Sequence, residues 1–115
     1  MIRELHEKLK AGTVTATALA GEYLARIKEK DGELGAYLTV LEETVLGQAS
    51  QVDEKIARGE EIDLLEGIPG ALKDNLALAG SRTTAGSRIL ENYIAPYDAT
   101  VVARLREKGA LFLGK

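Results

Sequence analysis

The 115-residue chain contains no cysteine, one histidine and one phenylalanine. The missing thiols rule out disulfides, zinc–thiolate sites and a cysteine nucleophile, and they fit a reducing compartment. With His6 alone, on an amphipathic N-terminal segment, a Ser-His-Asp triad has no base near the rest of the chain. No apolar run approaches the ~18 residues of a membrane span, and Met1-Ile2-Arg3-Glu4-Leu5 has no apolar core of the signal-peptide kind. A cytoplasmic protein without membrane contact is expected. Basic tracts are also missing and the net charge is −3, so no direct nucleic-acid contact is expected. The carboxylates at Glu42-Glu43 and Glu60-Glu61-Asp63 lack metal-ligand spacing, and there is no phosphate-binding glycine loop. No cofactor and no metal are expected on this chain.

What is present suits one small domain, with 45% apolar and 29% charged residues. Ile2, Leu5 and Leu9 recur at helical spacing, and Gly12-Thr13 interrupt them, with Thr13 a candidate N-cap. Ala16, Leu19, Ala20, Tyr23, Leu24 and Ile27 mark the inner face of a longer helix, which Asp31-Gly32 should stop near Lys30. Tyr37 to Leu41 is β-prone and reads as a short strand. Val45, Ala49, Val52 and Ile56 predict a third helix, weakened but not ended by Gly47 and closed at Arg58-Gly59. An acidic connector follows, from Glu60 to Glu66.

From Ile68 the character changes. Ile68 to Leu72 is a strand candidate, with Pro69 arguing for a strand start or an edge. Residues 80–86 form a small-residue loop, and Ser87 is placed to cap a short helix through Ile89, Leu90 and Tyr93. Asp98 is a candidate N-cap for a helix with Val101, Val102 and Leu105 inward and Gly109 just past its end. Ala110 to Leu113 reads as a strand covered on both faces. The expected class is α/β: a helical N-terminal cap with one short strand (residues 1–64), then strand-helix-strand elements of a mixed sheet (residues 65–115). A final strand with nothing after it should leave an unpaired edge, so the core is expected to be truncated and prone to pair with a second copy as a homodimer.

Lys73 is the leading candidate for chemistry, because it follows a predicted strand at the end where sites collect in open α/β sheets. Lysine ordinarily titrates near ~10.4, and desolvation can lower this by several units. A lysine so placed can act as general base toward a serine, although its spacing alone reads as a surface lysine at a strand end. Asp74 and Asn75 are turn formers. Thr83 to Ser87 could make a backbone nest near a carbonyl, or a turn and cap. Of the serines, Ser50 lies in a helical pattern, and Ser81 and Ser87 are close to Lys73 in sequence; none is in a glycine- and serine-rich context.

Gly67-Ile68-Pro69, Lys73-Asp74-Asn75, Thr83-Thr84-Ala85-Gly86-Ser87, Asp98-Ala99 and Gly109-Ala110 together resemble the amidase-signature hydrolases. The likeness covers the whole chain and is strongest from Leu65 onward. Thr83 to Tyr93, with Pro96 to Val102, looks most like that family's tRNA-dependent amidotransferase branch. The resemblance implies that Lys73 is the proton-handling member of a Ser–cis-Ser–Lys triad. It also implies that Asp74, Asn75, Thr84, Gly86 and Ser87 support or shape the site. Both serines would lie beyond Lys115, which makes the chain an N-terminal fragment that is inactive alone. The parent would hydrolyse glutamine through a glutamyl-serine ester and pass ammonia to a B subunit. That partner would hold the tRNA, ATP and magnesium, and a small C subunit would bridge the two. A stand-alone amide hydrolase of the same family, or a non-catalytic self-associating unit, are the alternatives.

Overall fold

A computed structural model describes all residues from Met1 to Lys115. In chain order the elements are α1 (Ile2–Lys10), α2 (Ala16–Leu34), α3 (Glu42–Ala57), β1 (Pro69–Ala71), a single 3-10 turn (Arg88–Leu90), α4 (Thr100–Glu107) and β2 (Leu111–Gly114). β1 and β2 pair in parallel, with α4 carried in the crossover between them. No helix is long and apolar enough to cross a membrane.

β2 is the axis of the molecule, and alternation of its side chains explains its continuous apolar run. Leu111 and Leu113 join Ala20, Leu24, Val45 and Ala49 in a core between the strand and α2/α3. Phe112 points the other way, into a smaller core with Leu72, Leu78 and Val102 of α4. Both faces of β2 are thus covered.

Both of its edges are occupied as well. β1 lies along one. Along the other, Val40 bridges Gly114 in antiparallel sense, Leu41 N–H donates to Leu113 O at 2.8 Å and Lys115 N–H donates to Thr39 O at 2.8 Å. The strand expected at residues 37–41 is therefore a single bridge, and it closes the edge expected to be open on the last strand. β1, by contrast, has β2 on one side and no strand on the other. It is shorter than expected, at three residues, with a register irregularity after Gly70.

Several boundaries move for identifiable reasons. The α2 N-cap is Thr15, whose hydroxyl accepts Ala18 N–H at 3.0 Å; the Thr13 hydroxyl donates to Lys8 O at 3.1 Å. α2 runs through Asp31-Gly32 because the stop lies later: Gly35 takes the left-handed conformation at φ 60°, with its N–H on Asp31 O. The Asp31 carboxylate also accepts Ala36 N–H at 2.7 Å. Ser87 makes no side-chain cap, and only one 3-10 turn follows it. Ala99 occupies the N-cap position of α4. The Asp98 carboxylate is committed to Ala79 N–H at 2.7 Å and to Arg106 at 3.2 Å.

Candidate active-site lysine and its buried support

The parallel pairing of β1 and β2 brings their C-terminal ends together, and two lysines sit there. Lys73 follows β1 by one residue beyond Leu72 and is exposed. Lys115 directly follows β2, and its side chain has no solvent exposure. Between them lies Asp74, 8% exposed.

Asp74 organises the segment. Its Oδ2 accepts from the Thr84 N–H at 3.0 Å and from the Thr84 hydroxyl, and its carbonyl accepts Ala85 N–H at 3.0 Å. Oδ1 is buried without a well-directed hydrogen bond and faces Lys115 Nζ at 3.3 Å. That separation makes the contact an ion pair first and a hydrogen bond second. Burial by itself would raise the Asp74 carboxyl. The hydrogen bonds from Thr84, with the hydrogen bond and charge of Lys115, outweigh it and hold the carboxyl below its ordinary range.

Lys115 makes two hydrogen bonds and one ion pair. Nζ donates to Arg82 O at 2.8 Å and to Thr83 Oγ1 at 2.6 Å, and Asp74 faces its third proton. Two buried side chains and the 82–84 backbone therefore form one closed polar unit at the sheet end.

The other candidate residues divide. Thr84 is bound into that unit and also accepts Gly86 N–H at 3.1 Å. Ala85 (φ 50°) and Gly86 (φ 69°) are both left-handed, which turns the chain sharply before Ser87. Ser87 N–H closes the turn on Thr84 O at 2.9 Å. Because Ala85, Gly86 and Ser87 all donate their N–H groups within this turn or to Asp74, they do not form a free nest. A cavity of about 260 Å³ lies beside the turn, lined by Thr84, Gly86, Ser87, Arg82, Arg88 and Thr39 among others; Lys73 does not line it. Asn75 is exposed. Ser81 Oγ turns to Arg82 O at 3.5 Å, and Ser50 is exposed on α3. His6 lies half-buried on α1, with Nδ1 unpartnered.

Sequence reasoning missed Lys115 and Arg82, and it read Thr83 only as part of a nest or turn. The signal for Lys115 was present: it follows an apolar strand as Lys73 does, and the strand-end rule applies to both.

The protein-family model described as Amidase matches residues 18–115. A glutamyl-tRNA(Gln) amidotransferase chain from Carboxydothermus hydrogenoformans is 51% identical over 113 residues, covering 98% of this chain and 23% of that protein. The protein of the same name from Microcystis aeruginosa is 49% identical over 114 residues, covering 99% and 24%. Among solved structures, the native peptide amidase from Stenotrophomonas maltophilia superimposes with a TM-score of 0.91 at 36% identity, covering 99% of this chain and 24% of that enzyme. A bacterial aryl acylamidase at 23% identity and a TM-score of 0.90 shares the fold. The chain thus spans about a quarter of the length of these relatives.

Proposed function

Since the chain belongs to the amidase family, we propose that it supplies the lysine-bearing quarter of an amide-hydrolysing site, with Lys73 as the proton-handling group. The observation that carries this reading is the placement of Lys73. It stands at the joined ends of two parallel strands, exposed, while Leu72 and Asp74 on either side of it are buried. Such a side chain is free to meet a partner from outside this stretch, and its backbone is held.

The chemistry follows the family resemblance. The neutral amine of Lys73 takes the proton of a cis-serine. That serine in turn takes the proton of the nucleophilic serine, whose oxygen attacks the amide carbon. The carbon–nitrogen bond breaks, ammonia leaves with the relayed proton, and water then hydrolyses the acyl-serine ester. None of Ser50, Ser81 and Ser87 lies in the glycine- and serine-rich context that the family resemblance implies, so we assign both serine roles to sequence outside these 115 residues. Asp74 and Thr84 act by holding Lys73, and Asn75, Gly86 and Ser87 by shaping the surface around it.

The substrate we assign is glutamine, in the glutaminase component of a glutamyl-tRNA(Gln) or aspartyl-tRNA(Asn) amidotransferase. Support comes from relatives of the first of these names at about half identity. Its proposed partners are the B subunit, which uses ATP and magnesium, and the bridging C subunit, in the cytoplasm. Ammonia release by the full-length protein carrying this chain tests the reading. Glutamine should be hydrolysed in preference to a C-terminal peptide amide, and Lys73→Ala should remove activity while the protein stays folded. The 115 residues alone should release no ammonia above a blank. Preference for the peptide amide would favour a stand-alone amidase, the reading that likeness to the peptide amidase supports.

A second reading, self-association of this unit, is favoured by the outer edge of β1, which no strand covers. A strictly monomeric mass by light scattering would dismiss it.

A further inference from the structure

We propose that Lys115 is a positioning residue for Lys73: its buried ammonium ties Asp74 and the 82–84 backbone to the end of β2 and thereby fixes the backbone that carries Lys73. The inference rests on the reading of Lys73 given above.

The cost of burying a lysine is the first argument. An ammonium without solvent exposure is costly unless every proton finds a partner. Here two hydrogen bonds go to Arg82 O and Thr83 Oγ1, and the charge is matched by Asp74 Oδ1 at 3.3 Å. An apolar residue could fill such a place without that cost, so the lysine is best explained by what it holds.

Geometry is the second. Lys73 is flanked by two anchored neighbours. Leu72 N–H donates to Gly114 O at 3.0 Å, and Asp74 faces Lys115 at 3.3 Å. Alternate residues of one strand end, Leu72 and Asp74, are thus fixed to consecutive residues of the other, Gly114 and Lys115, and Lys73 between the first two is exposed. Lys115 is itself held by its main chain: its N–H donates to Thr39 O, and its carbonyl accepts from Leu38 N–H at 2.7 Å and Thr39 N–H at 3.1 Å. The anchor is therefore rigid relative to the core.

Charge ties the unit together as well: one Asp74 oxygen faces Lys115 and the other is committed to Thr84, so the carboxylate beside Lys73 in sequence is engaged on both oxygens.

The test uses the full-length protein carrying this chain, assayed for ammonia release from glutamine. Lys115→Met should lower kcat by about 10²-fold, the scale of a misplacement of about 1 Å, with little change in KM. Asp74→Asn should lower kcat too, and the double variant should lose no more than the worse single one, because both act through one unit. Thr83→Val keeps every charge and removes one acceptor from Lys115. It should cause a smaller loss of the same kind, and it carries the test if Lys115→Met does not fold. Folded Lys115→Met or Thr83→Val proteins with kcat unchanged, or with the loss falling on KM instead, would overturn the proposal. So would single losses that multiply in the double variant. If Lys73→Ala itself retains activity, the reading of Lys73 fails instead, and the two failures are distinct.

Discussion

The Asp53 carboxylate, on α3, accepts the backbone N–H of Ala16 at 2.6 Å, across a separation of 37 residues in sequence. Its other oxygen accepts the N–H and hydroxyl of Thr17 at 3.0 and 2.6 Å. Two of the unpaired N–H groups at the start of α2 are therefore satisfied from a neighbouring helix, and a negative charge lies at the positive end of the α2 dipole. Thr15 supplies a local cap beside it. Asp53→Ala should cost about 1–2 kcal/mol in denaturant unfolding, more than Thr15→Ala at roughly 1 kcal/mol. Equal or smaller losses for Asp53→Ala would mean that water takes over the cap.

Gly114→Ala tests the crossing of β2 by the 37–41 segment. A Cβ at Gly114 would collide with Thr39 O and stand 2.9 Å from Tyr37 Cδ1 and 3.1 Å from Val40 Cα. Two of these obstacles are backbone, so the segment itself must shift. We expect a loss of about 1–3 kcal/mol, the range of overpacked cores. Hydrogen exchange should quicken at Leu41 and Lys115, whose N–H groups bond across this contact. Unchanged protection at those two amides would mean that the bridge does not hold the edge of β2.

Leu111→Ala against Ile89→Ala separates the core from its surroundings. Leu111 is 2% exposed inside the larger core, and Ile89 is 94% exposed within the single 3-10 turn. The first should lose about 2–5 kcal/mol, and the second should stay within about 0.5 kcal/mol. A large loss at Ile89 would show that it is covered in solution, for example by a second copy of the chain.

Much of this was legible in the residues. The 3.6-residue recurrence at Val45, Ala49 and Val52 is a burial pattern, and all three are buried as it requires. The unbroken run at Leu111 to Leu113 gave β2 two covered faces for the same reason. Features decided by distant partners were not legible. Asp31-Gly32 looks like a helix stop, but the Asp31 side chain takes up the following N–H groups and lets α2 run to Leu34. Asp98 looks like an N-cap until Ala79 and Arg106 claim it. At the candidate site, the sequence motif pointed to Lys73. Lys115 lies far along the chain from it, and only the parallel pairing of β1 and β2 brings it to Asp74.

That pairing predicts an acid dependence of stability. The Asp74 carboxyl is held below its ordinary range in the folded chain, with burial opposing and the bonds from Thr84 and Lys115 prevailing. A group depressed on folding contributes stability that is fully present above its unfolded value, near ~3.9 for aspartate. The unfolded chain binds this proton first as pH falls, so stability decreases through that value and on through the lower folded one. Below both values the contribution is gone. Thermal melts of the unsubstituted chain should therefore fall in temperature as pH drops below roughly 4, beyond what the exposed carboxylates produce. Asp74→Asn should flatten part of that slope. At neutral pH the same variant should be less stable than the unsubstituted chain by about 3–5 kcal/mol, because it leaves the Lys115 charge buried and unpaired. Replacing both partners, as in Asp74→Asn with Lys115→Met, should recover part of this loss, since no buried charge is then left. If Asp74→Asn keeps the full acid slope, Asp74 is not the group that titrates, and the ion pair at the strand ends does not set the acid stability of the fold.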